Sequence, residues 1–371
     1  MLLFRQKTTV KSFDHAADFA AEFQIGPSDF ILASRRMYEK YFAPLNLSAH
    51  VEFKSKYGAG EPTDIMIDAL IQDFRKSGCT RIIAIGGGAV IDMAKILVLK
   101  DAQRTEDIFL RRVPIEKAYE LIAVPTTCGA GSEVSSVSIT ALTERNSKLG
   151  LADDAIFPDT AVLIPELLTE MPYDVFATSA IDALIHAVES YVSPKANRYT
   201  ELFSEEAARL IVGGFRRILA EGKDARMELL GDFLMASDMA GIAFGNAGTG
   251  TVHAMSYPLS GKYHVTHGEA NYQFFTAVFR EYHRHKPIGK LSRMEALMAD
   301  ILGCETEVVY DELEKLFDNI IPRKKLHEYG MTEDETVSFA ADVIELQQRL
   351  LNQSYVKFDQ ETLTKIYREL L

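Results

Sequence analysis

Short apolar runs alternate with amphipathic segments in the first half of the chain. The runs at 30–34, 81–86 and 121–125 have the length of buried strands. Between the first two, the segment 62–77 places apolar residues at helical spacing, and the segment 89–99 is apolar and helical after a cluster of glycines. Strands that alternate with helices predict a parallel sheet covered by helices.

The pattern changes near residue 172, where long helical segments replace the alternation. Strand signals are scarce from there on, and Thr332 and Glu335 have the spacing of a capping box that starts a helix ending near Asn352. We therefore predict an α/β domain over residues 1–168 and an all-helical domain over residues 169–371. The other helices predicted in this half cover 174–192, 199–219, 225–243 and 268–282.

The composition is that of an acidic globular protein. The chain has 371 residues, 47% of them apolar and 25% charged, and a formal net charge of −13. A field of this sign argues against binding to nucleic-acid phosphates or anionic lipid. No uninterrupted apolar run reaches the length of about 18 residues that a membrane span needs, and the first residues lack a signal-peptide stretch. Three scattered cysteines are too few for a disulfide framework, so we expect a cytoplasmic protein.

A glycine-rich loop, Gly86-Gly87-Gly88-Ala89, joins the strand predicted at 81–86 to the next helix. Glycines let the backbone approach a ligand closely, and exposed amides at a helix start attract anions. The loop therefore suits a pyrophosphate, although it matches neither the G-x-G-x-x-G fingerprint nor a P-loop. A tight turn without a ligand is the alternative.

A second polar loop follows the strand predicted at 121–125. It carries the hydroxyl groups of Thr126, Thr127 and Ser132 among small residues. At the carboxyl end of a parallel strand, such groups fit a ligand-binding crevice, although Thr and Ser are also ordinary turn and capping residues. Two such loops after two strands favour a nucleotide-binding site.

Four ionisable residues in the second half have the composition of a metal site. Asp182 and His186 lie four residues apart and so share one face of a predicted helix. A carboxylate in such apolar surroundings is costly unless it is paired or bound to a metal. His253 and His267 follow, separated by a Pro- and Gly-containing turn that can fold them towards the same point. Three imidazoles and a carboxylate suit Fe(II) or Zn(II), and a satisfied Asp–His pair with surface histidines is the alternative.

These motifs, in this order and spacing, resemble the iron-containing (group III) alcohol dehydrogenase family from about residue 32 to the end of the chain. GGGAVIDMAK is similar to the family's GGGSxxDxAK cofactor loop and PTTCGAGSEV to its PTTAGTGSEV loop. DALIHAVESY, GTVHAMSYPL and THGEAN are similar to its three metal-site motifs. Within the family, the stretch GTVHAMSYPLSGKYHVTHGEANY looks most like members that act on 4-hydroxybutyrate. The resemblance implies a dehydroquinate synthase-like architecture: an α/β N-terminal nucleotide-binding domain with a parallel sheet, plus an all-α C-terminal metal-binding domain.

The resemblance also implies the chemistry and the residues that perform it. The expected reaction is reversible hydride transfer between a small primary alcohol and NAD or NADP, with Fe2+ or Zn2+ bound to the protein. The implied metal ligands are Asp182, His186, His253 and His267. The implied cofactor residues are Gly86, Gly87, Gly88, Ala89 and Asp92 around the pyrophosphate, Thr126, Thr127 and Ser132 on the nicotinamide side, and Lys148 as a basic contact.

Two positions near the last ligands differ from the family pattern. Many members carry a histidine, thought to relay protons, four residues after the third ligand, and this chain has Tyr257 there. His264 stands three residues before the last ligand, where Asn or Asp is more usual. We therefore expect His264 or Tyr257 to carry the proton between substrate and solvent. Lys262 is the expected partner of the substrate carboxylate if the substrate is an ω-hydroxy acid.

The residues after the strand predicted at 30–34 leave the cofactor preference open. Many NAD-preferring members carry an Asp there that holds the adenosine ribose, whereas this chain has Ser34-Arg35-Arg36. The missing carboxylate and the two guanidinium groups remove a barrier to a 2′-phosphate. NAD and NADP are therefore both candidates, with Ser34 at the site. By family analogy we expect a homodimer.

Other activities stay open on the sequence alone. The substrate could be another short alcohol, a diol or lactaldehyde. Glycerol dehydrogenases and dehydroquinate synthases share the expected architecture, but they usually hold zinc with fewer histidines and a differently placed carboxylate. A non-catalytic nucleotide-binding protein is a further alternative, and the retention of every ligand type argues against it.

Overall fold

The computed structural model of the chain describes residues 2–145 and 147–371. It divides into two compact units. Among the described residues, an α/β unit is formed by those between 6 and 171, and a helical unit is formed by 2–5 and 172–371.

The predicted division into 1–168 and 169–371 differs from this arrangement at the start of the chain. Residues 2–5 lie with the helical unit, where the ring of Phe4 stacks on Tyr199 and Phe203 with centroid distances of 5.7 and 5.8 Å. Aromatic contacts between residues so far apart in the sequence leave no local pattern from which the assignment could be predicted.

The α/β unit is built on a six-stranded sheet in the order β1-β8-β5-β4-β2-β3 and a separate two-stranded antiparallel hairpin, β6-β7. Every neighbouring pair in the large sheet is parallel. The strands are Thr9–Ser12 (β1), Asp29–Ala33 (β2), His50–Phe53 (β3), Arg81–Gly86 (β4), Glu120–Pro125 (β5), Val137–Leu142 (β6), Ser147–Ala152 (β7) and Thr160–Leu163 (β8).

The strand order contains a reversal between β2 and β4. The chain leaves β2 towards β3 on one side, returns to β4, and then continues to β5 on the other side. In parallel α/β sheets, ligands bind beyond the carboxyl ends of the strands at such a switch point. The residues that follow β2 and β4 are Ser34 and the glycine loop, and the Ser34 N–H donates to the carbonyl of Ile85 at 2.9 Å.

The helices of the α/β unit connect these strands. Helix α4 ends at Gly78, whose φ of 68° is left-handed and suits glycine. Apolar residues of α4 and α5 form one buried core with β2, β4 and β5. The helices are Ala16–Glu22 (α1), Arg35–Met37 (α2), Lys54–Tyr57 (α3), Asp64–Ser77 (α4), Gly88–Leu97 (α5) and Thr105–Phe109 (α6).

The helical unit contains the remaining ten named helices of the described residues. They are Tyr173–Val192 (α7), Arg198–Glu221 (α8), Arg226–Ala247 (α9), Thr251–Tyr263 (α10), His267–His285 (α11), Lys290–Leu302 (α12), Val309–Ile320 (α13), Glu333–Leu346 (α14), Gln348–Leu351 (α15) and Gln360–Leu370 (α16). Together the two units confirm the predicted fold class, an α/β domain with a parallel sheet and an all-α domain.

Helix α7 is the central helix of its unit and packs on α8, α9 and α11. By length and composition it could cross a membrane, with a mean hydropathy of 1.2 over its most apolar stretch, but 83% of that stretch is buried inside the protein. An all-round apolar helix is expected in such a core position.

The segment between His253 and His267 corrects one expectation. It was predicted as a Pro- and Gly-containing turn, but most of it is helix α10, with Pro258 inside the helix. The reversal comes later, at His264, which ends α10 with a left-handed φ of 55°. Proline and glycine usually mark turns, and here packing against α11 and α14 keeps the helix continuous past them.

Candidate functional site

Asp182, His186, His253 and His267 come together in the helical unit. One ligand atom from each residue lies within 4.8 Å of those of the others. The ring centroids of His186 and His253 are 4.7 Å apart, and those of His253 and His267 are 5.2 Å apart. The first three side chains are buried and His267 is half-buried. The four residues that were predicted as metal ligands therefore share one centre.

Three helices position these side chains. Asp182 and His186 project from one face of α7, His253 lies in the first turn of α10, and His267 is the first residue of α11. Gly268 permits the approach of α11 to α7, because a Cβ at this position would lie 2.7 Å from the carbonyl oxygen of Thr178. The left-handed residue that ends α10 turns the chain so that α11 can begin beside the centre.

The electrostatics of the cluster suit a cation. Burial works to raise the pKa of Asp182, but the three histidines and a hydrogen bond from the Asn271 amide, at 2.7 Å, outweigh it and hold the pKa below its usual range. Burial, reinforced by the other imidazoles, lowers the pKa of His253 well below 6.5. A neutral imidazole and an ionised carboxylate are the forms that bind a divalent metal.

His253 provides the test of whether the residues fit a metal. Its Nδ1 lies 2.6 Å from an oxygen of Glu189, and both Glu189 oxygens accept backbone N–H groups, as those of an ionised carboxylate do. Nδ1 is therefore assigned the proton, and Nε2 keeps its lone pair. Within the described part of the chain, Nε2 is buried without a hydrogen-bond partner. A buried acceptor without a partner is costly, and an ion bound at Nε2 would satisfy it. The set therefore fits Fe2+ or Zn2+.

Glu189 was not among the site residues predicted from the sequence. It lies one turn after His186, so Asp182, His186 and Glu189 share one face of α7 at i, i+4 and i+7. Burial raises the pKa of Glu189 to about 7, although the backbone N–H groups of Gly250 and Val252 oppose this shift. A glutamate at helical spacing in an apolar helix is the signal that could have identified it.

The three residues predicted to act on the substrate occupy different places. The ring of Tyr257 lies 6.3 Å from that of His267, so the structure brings it beside the ligand cluster. His264 is exposed at the end of α10. Lys262 is also exposed and forms an ion pair with Glu335 of α14.

The glycine loop and the second polar loop lie side by side in the α/β unit, because Gly86 of β4 pairs with Pro125 of β5. A Cβ on Gly87 would lie 3.3 Å from the Thr127 side chain, and a Cβ on Gly88 would lie 2.8 Å from Ala130. A side chain at position 88 would displace Ala130, whereas one at position 87 would require only a small shift of Thr127. Gly88 and Ala89 form the first turn of α5, with backbone amides of the kind that bind phosphate groups.

Asp92 and Ser132 form a hydrogen bond with each other, whereas direct contacts to the cofactor were expected. The Ser132 hydroxyl donates to the Asp92 carboxylate, and the other Asp92 oxygen accepts from the Ile139 N–H at 2.9 Å. Carboxylates repel phosphate, so internal bonds that hold the loop are the more natural use of Asp92. Thr126 is buried at the start of the second loop. The predicted basic contact, Lys148 of β7, forms an ion pair with Glu61.

Lys95 was also not among the site residues predicted from the sequence. Its ammonium group is fully buried and donates to Ser132 Oγ at 2.8 Å, to Ser135 Oγ at 3.2 Å and to the carbonyl of Val137. Burial lowers its pKa, although Asp92 opposes the shift. Because one cation links helix α5 to the chain after β5, Lys95 holds the two loops together.

Each of the two units matches a model of a known protein family. Residues 7–165 match the model of the iron-containing alcohol dehydrogenases, and residues 176–371 match that of the C-terminal domain of the Fe-containing alcohol dehydrogenase family. A 4-hydroxybutyrate dehydrogenase of Clostridium kluyveri is 48% identical over 370 residues, covering 100% of both chains.

Solved structures share the fold. An iron-containing alcohol dehydrogenase from Thermococcus thioreducens has a TM-score of 0.84 and 26% identity, covering 99% of both chains. A sulfoacetaldehyde reductase from Bifidobacterium kashiwanohense, solved in complex with NAD+, has a TM-score of 0.86 and 22% identity, covering 100% of this chain and 99% of that one. The two matched family models, the full-length relative and the predicted enzyme class all agree: this chain belongs to the iron-containing alcohol dehydrogenase family.

Proposed function

We propose that this enzyme interconverts 4-hydroxybutyrate and succinate semialdehyde, with NAD or NADP as the hydride carrier and Fe2+ or Zn2+ as the bound metal. The observation that carries the proposal is the full-length relative, a 4-hydroxybutyrate dehydrogenase at 48% identity, together with the four-residue cluster. The NAD+ complex of the sulfoacetaldehyde reductase supports a nicotinamide cofactor.

In the proposed mechanism, Asp182, His186, His253 and His267 hold the metal. When bound, a divalent ion supplies Lewis-acid chemistry, which favours deprotonation of an alcohol and polarises a carbonyl. The protein's own contribution is to keep three of these side chains away from water and to hold His253 in one tautomer. The first turn of α5 and the second polar loop would hold a nicotinamide cofactor, which would supply hydride-transfer chemistry when bound.

Oxidation of the alcohol releases the hydroxyl proton, which must reach solvent. We propose Tyr257 or His264 for this step: Tyr257 lies beside His267, and His264 is exposed to water. The assembly proposed on family analogy is a homodimer, and we propose a reducing cytosol because three scattered cysteines are too few for a disulfide framework.

The decisive experiment is a substrate screen after anaerobic purification and metal analysis. Protein loaded with Fe2+ or Zn2+ is assayed with 4-hydroxybutyrate, 1-butanol and 1,3-propanediol, each with NAD and with NADP. We expect kcat/KM for 4-hydroxybutyrate to exceed that for 1-butanol by about tenfold or more, because a site that binds a carboxylate is left unsatisfied by an alcohol without one. A preference for 1-butanol or the diol would reject the substrate, and no reduction of either cofactor would reject the activity.

A further inference from the structure

We propose that Glu189 is a positioning residue for His253, which it holds in a single tautomer and orientation towards the metal. The inference rests on the proposed metal-binding role of the cluster. The Glu189 side chain is 1% exposed. One carboxylate oxygen accepts from the Val252 N–H at 2.7 Å, and the other accepts from the Gly250 N–H at 2.9 Å and from His253 Nδ1 at 2.6 Å.

The contact to the ring decides which nitrogen faces the centre. Both Glu189 oxygens act as acceptors of backbone N–H groups, so His253 donates through Nδ1 and keeps the lone pair on Nε2. The His253 side chain is 4% exposed, so water does not offer an alternative partner that would let it rotate. Glu189 therefore presets the imidazole in the form that binds a metal, before any ion arrives.

The contacts to the backbone fix the helix from which His253 projects. Gly250 is the N-terminal cap of α10 and has no side chain to accept the free amides of the first turn. From the neighbouring helix, Glu189 accepts one of them, the Val252 N–H, and also the N–H of Gly250 itself. A Cβ at position 250 would lie 3.2 Å from the Glu189 carboxylate, so glycine allows this close approach.

Glu189 thereby sets the distance between two ligand-bearing helices. Asp182 and His186 project from α7, which also carries Glu189, and His253 projects from α10. A single carboxylate thus ties together the helices that supply three of the four ligands. Ligands held in place before binding lose less conformational entropy when the ion arrives, which raises affinity.

Glu189→Gln removes this function while it keeps the size of the side chain. A glutamine has one acceptor oxygen and one NH2 group. If the NH2 group faces His253, it donates to Nδ1 and favours the tautomer with hydrogen on Nε2, which cannot bind a metal. If the oxygen faces His253, the NH2 group faces the Val252 N–H. Both groups are donors, so that hydrogen bond is lost. Glu189→Asp keeps the acceptor charge on a shorter side chain.

Glu295 of α12 offers a matched control. It is also a buried carboxylate, 3% exposed, and it lies 2.8 Å from His283 Nδ1 and 2.7 Å from the Tyr310 hydroxyl. His283 and Tyr310 both lie outside the ligand cluster. Glu295→Gln therefore measures the general effect of neutralising a buried, histidine-bonded glutamate in the helical unit.

The experiment measures the Zn2+ affinity of the full-length protein by competition with a chromophoric chelator, together with the unfolding midpoint of the metal-free protein. We expect Glu189→Gln to weaken Zn2+ binding by about 10- to 100-fold and Glu189→Asp to recover part of that loss. Glu295→Gln should leave the affinity within about twofold, because its contacts lie outside the cluster, even where it lowers the metal-free midpoint.

The outcomes separate this inference from the proposed function. If wild-type protein binds no Zn2+, the metal site and the role of Glu189 both fall. If wild type binds but Glu189→Gln binds equally well, or if Glu295→Gln weakens binding as much, the positioning role is overturned while the metal site stands. Should Glu189→Gln fail to fold, Glu189→Asp decides, since wild-type affinity in that variant would contradict a role that depends on the reach of the carboxylate.

Discussion

At the scale of single residues, the side chains in and beside the ligand cluster differ mainly in their exposure. His253 is almost completely buried, Tyr257 is half-buried, and His264 is exposed. A lone pair stays available to an ion when water is excluded, whereas a group that carries protons to solvent must reach water. Exposure therefore separates the candidate ligand His253 from the two relay candidates, which the spacing in the sequence could not do.

The relay predicts a specific loss of turnover. His264→Ala and Tyr257→Phe each remove a group that can pass the substrate proton to water, and we expect the variant that lacks the true relay to lose about 10²-fold in kcat. Metal content should stay at the wild-type level in both, since neither residue belongs to the cluster of four. Measurement of kcat across pH, with metal analysis of each sample, checks this. Unchanged kcat at every pH in both variants would reject the relay.

Lys262 tests how the substrate carboxylate is recognised. If this lysine binds it, Lys262→Ala should lower kcat/KM for 4-hydroxybutyrate by about 10- to 100-fold, the effect of losing a charge-assisted hydrogen bond, and leave 1-butanol unaffected. Glu335 forms an ion pair with the same ammonium group. Glu335→Gln is therefore the control, and it should not lower kcat/KM for 4-hydroxybutyrate. Equal losses for both substrates in Lys262→Ala would contradict the assignment.

At the scale of elements, the start of α14 shows local and long-range contacts meeting on one side chain. The structure confirms the capping box predicted from Thr332 and Glu335. The Glu335 carboxylate accepts from the Thr332 N–H at 2.7 Å and from the Tyr263 hydroxyl at 2.5 Å. It thus caps α14 and attaches it to the end of α10. The sequence predicted the first of these roles, and the second depends on residues about 70 positions away.

The charge on Glu335 predicts a pH-dependent stability. Burial works to raise its pKa, but Lys262, Tyr263 and Thr332 outweigh it and lower the pKa to about 2 from an ordinary 4.5. A carboxyl group whose pKa is lowered by folding stabilises the protein when the pH is above its pKa in the unfolded state. This stabilisation is lost as the pH falls through its pKa in the folded state. Glu335→Gln should therefore lower the free energy of unfolding at pH 7 by about 1 kcal/mol.

The difference between Glu335→Gln and wild type should shrink as the pH falls from about 4.5 towards about 2. Denaturant unfolding of both proteins at several pH values measures it. Asp359→Asn is a comparison variant for a helix cap without an ion pair. Asp359 caps α16 and accepts from the Thr362 N–H at 2.9 Å, and among the described residues no lysine pairs with it. A difference that stays constant down to pH 2 would contradict the assigned pKa.

At the scale of the whole molecule, the candidate metal centre draws on distant parts of the helical unit. Its ligands lie on α7, α10 and α11 and span residues 182–267. An ion bound to all four side chains holds these helices to one another in the folded state only. Metal binding and folding of this unit should therefore be linked.

Removal of the metal should lower the thermal stability of the helical unit. At a free ion concentration of 100 times Kd, binding adds about 2.7 kcal/mol to the free energy of unfolding, so EDTA should lower the unfolding midpoint and added Zn2+ should restore it. Calorimetry at several Zn2+ concentrations measures the shift. His253→Ala lacks one ligand and should respond to Zn2+ only weakly. A wild-type midpoint that does not change with Zn2+ would show that the four side chains do not act as a metal site.

The local sequence was sufficient for features that depend on neighbouring residues. The alternation of strands and helices predicted the parallel sheet, because each element must bury its own apolar face. β2, β4 and β5 were predicted, but β1, β3, β6, β7 and β8 were not. The edge strand β1 has no buried residue that could signal it. Asp182 and His186 could be paired because helical spacing alone places them together.

Contacts between distant segments were decided only by the tertiary structure. Glu189 meets His253 across 64 positions, and Lys95 meets Ser132 across 37. Helix α10 continues through Pro258 because it is packed on other helices, against its local preference. Periodicity and turn chemistry describe what a segment favours by itself, but which buried polar groups satisfy one another depends on the elements that folding brings side by side. The types of ligand were therefore determined by the sequence, and their orientation by the fold.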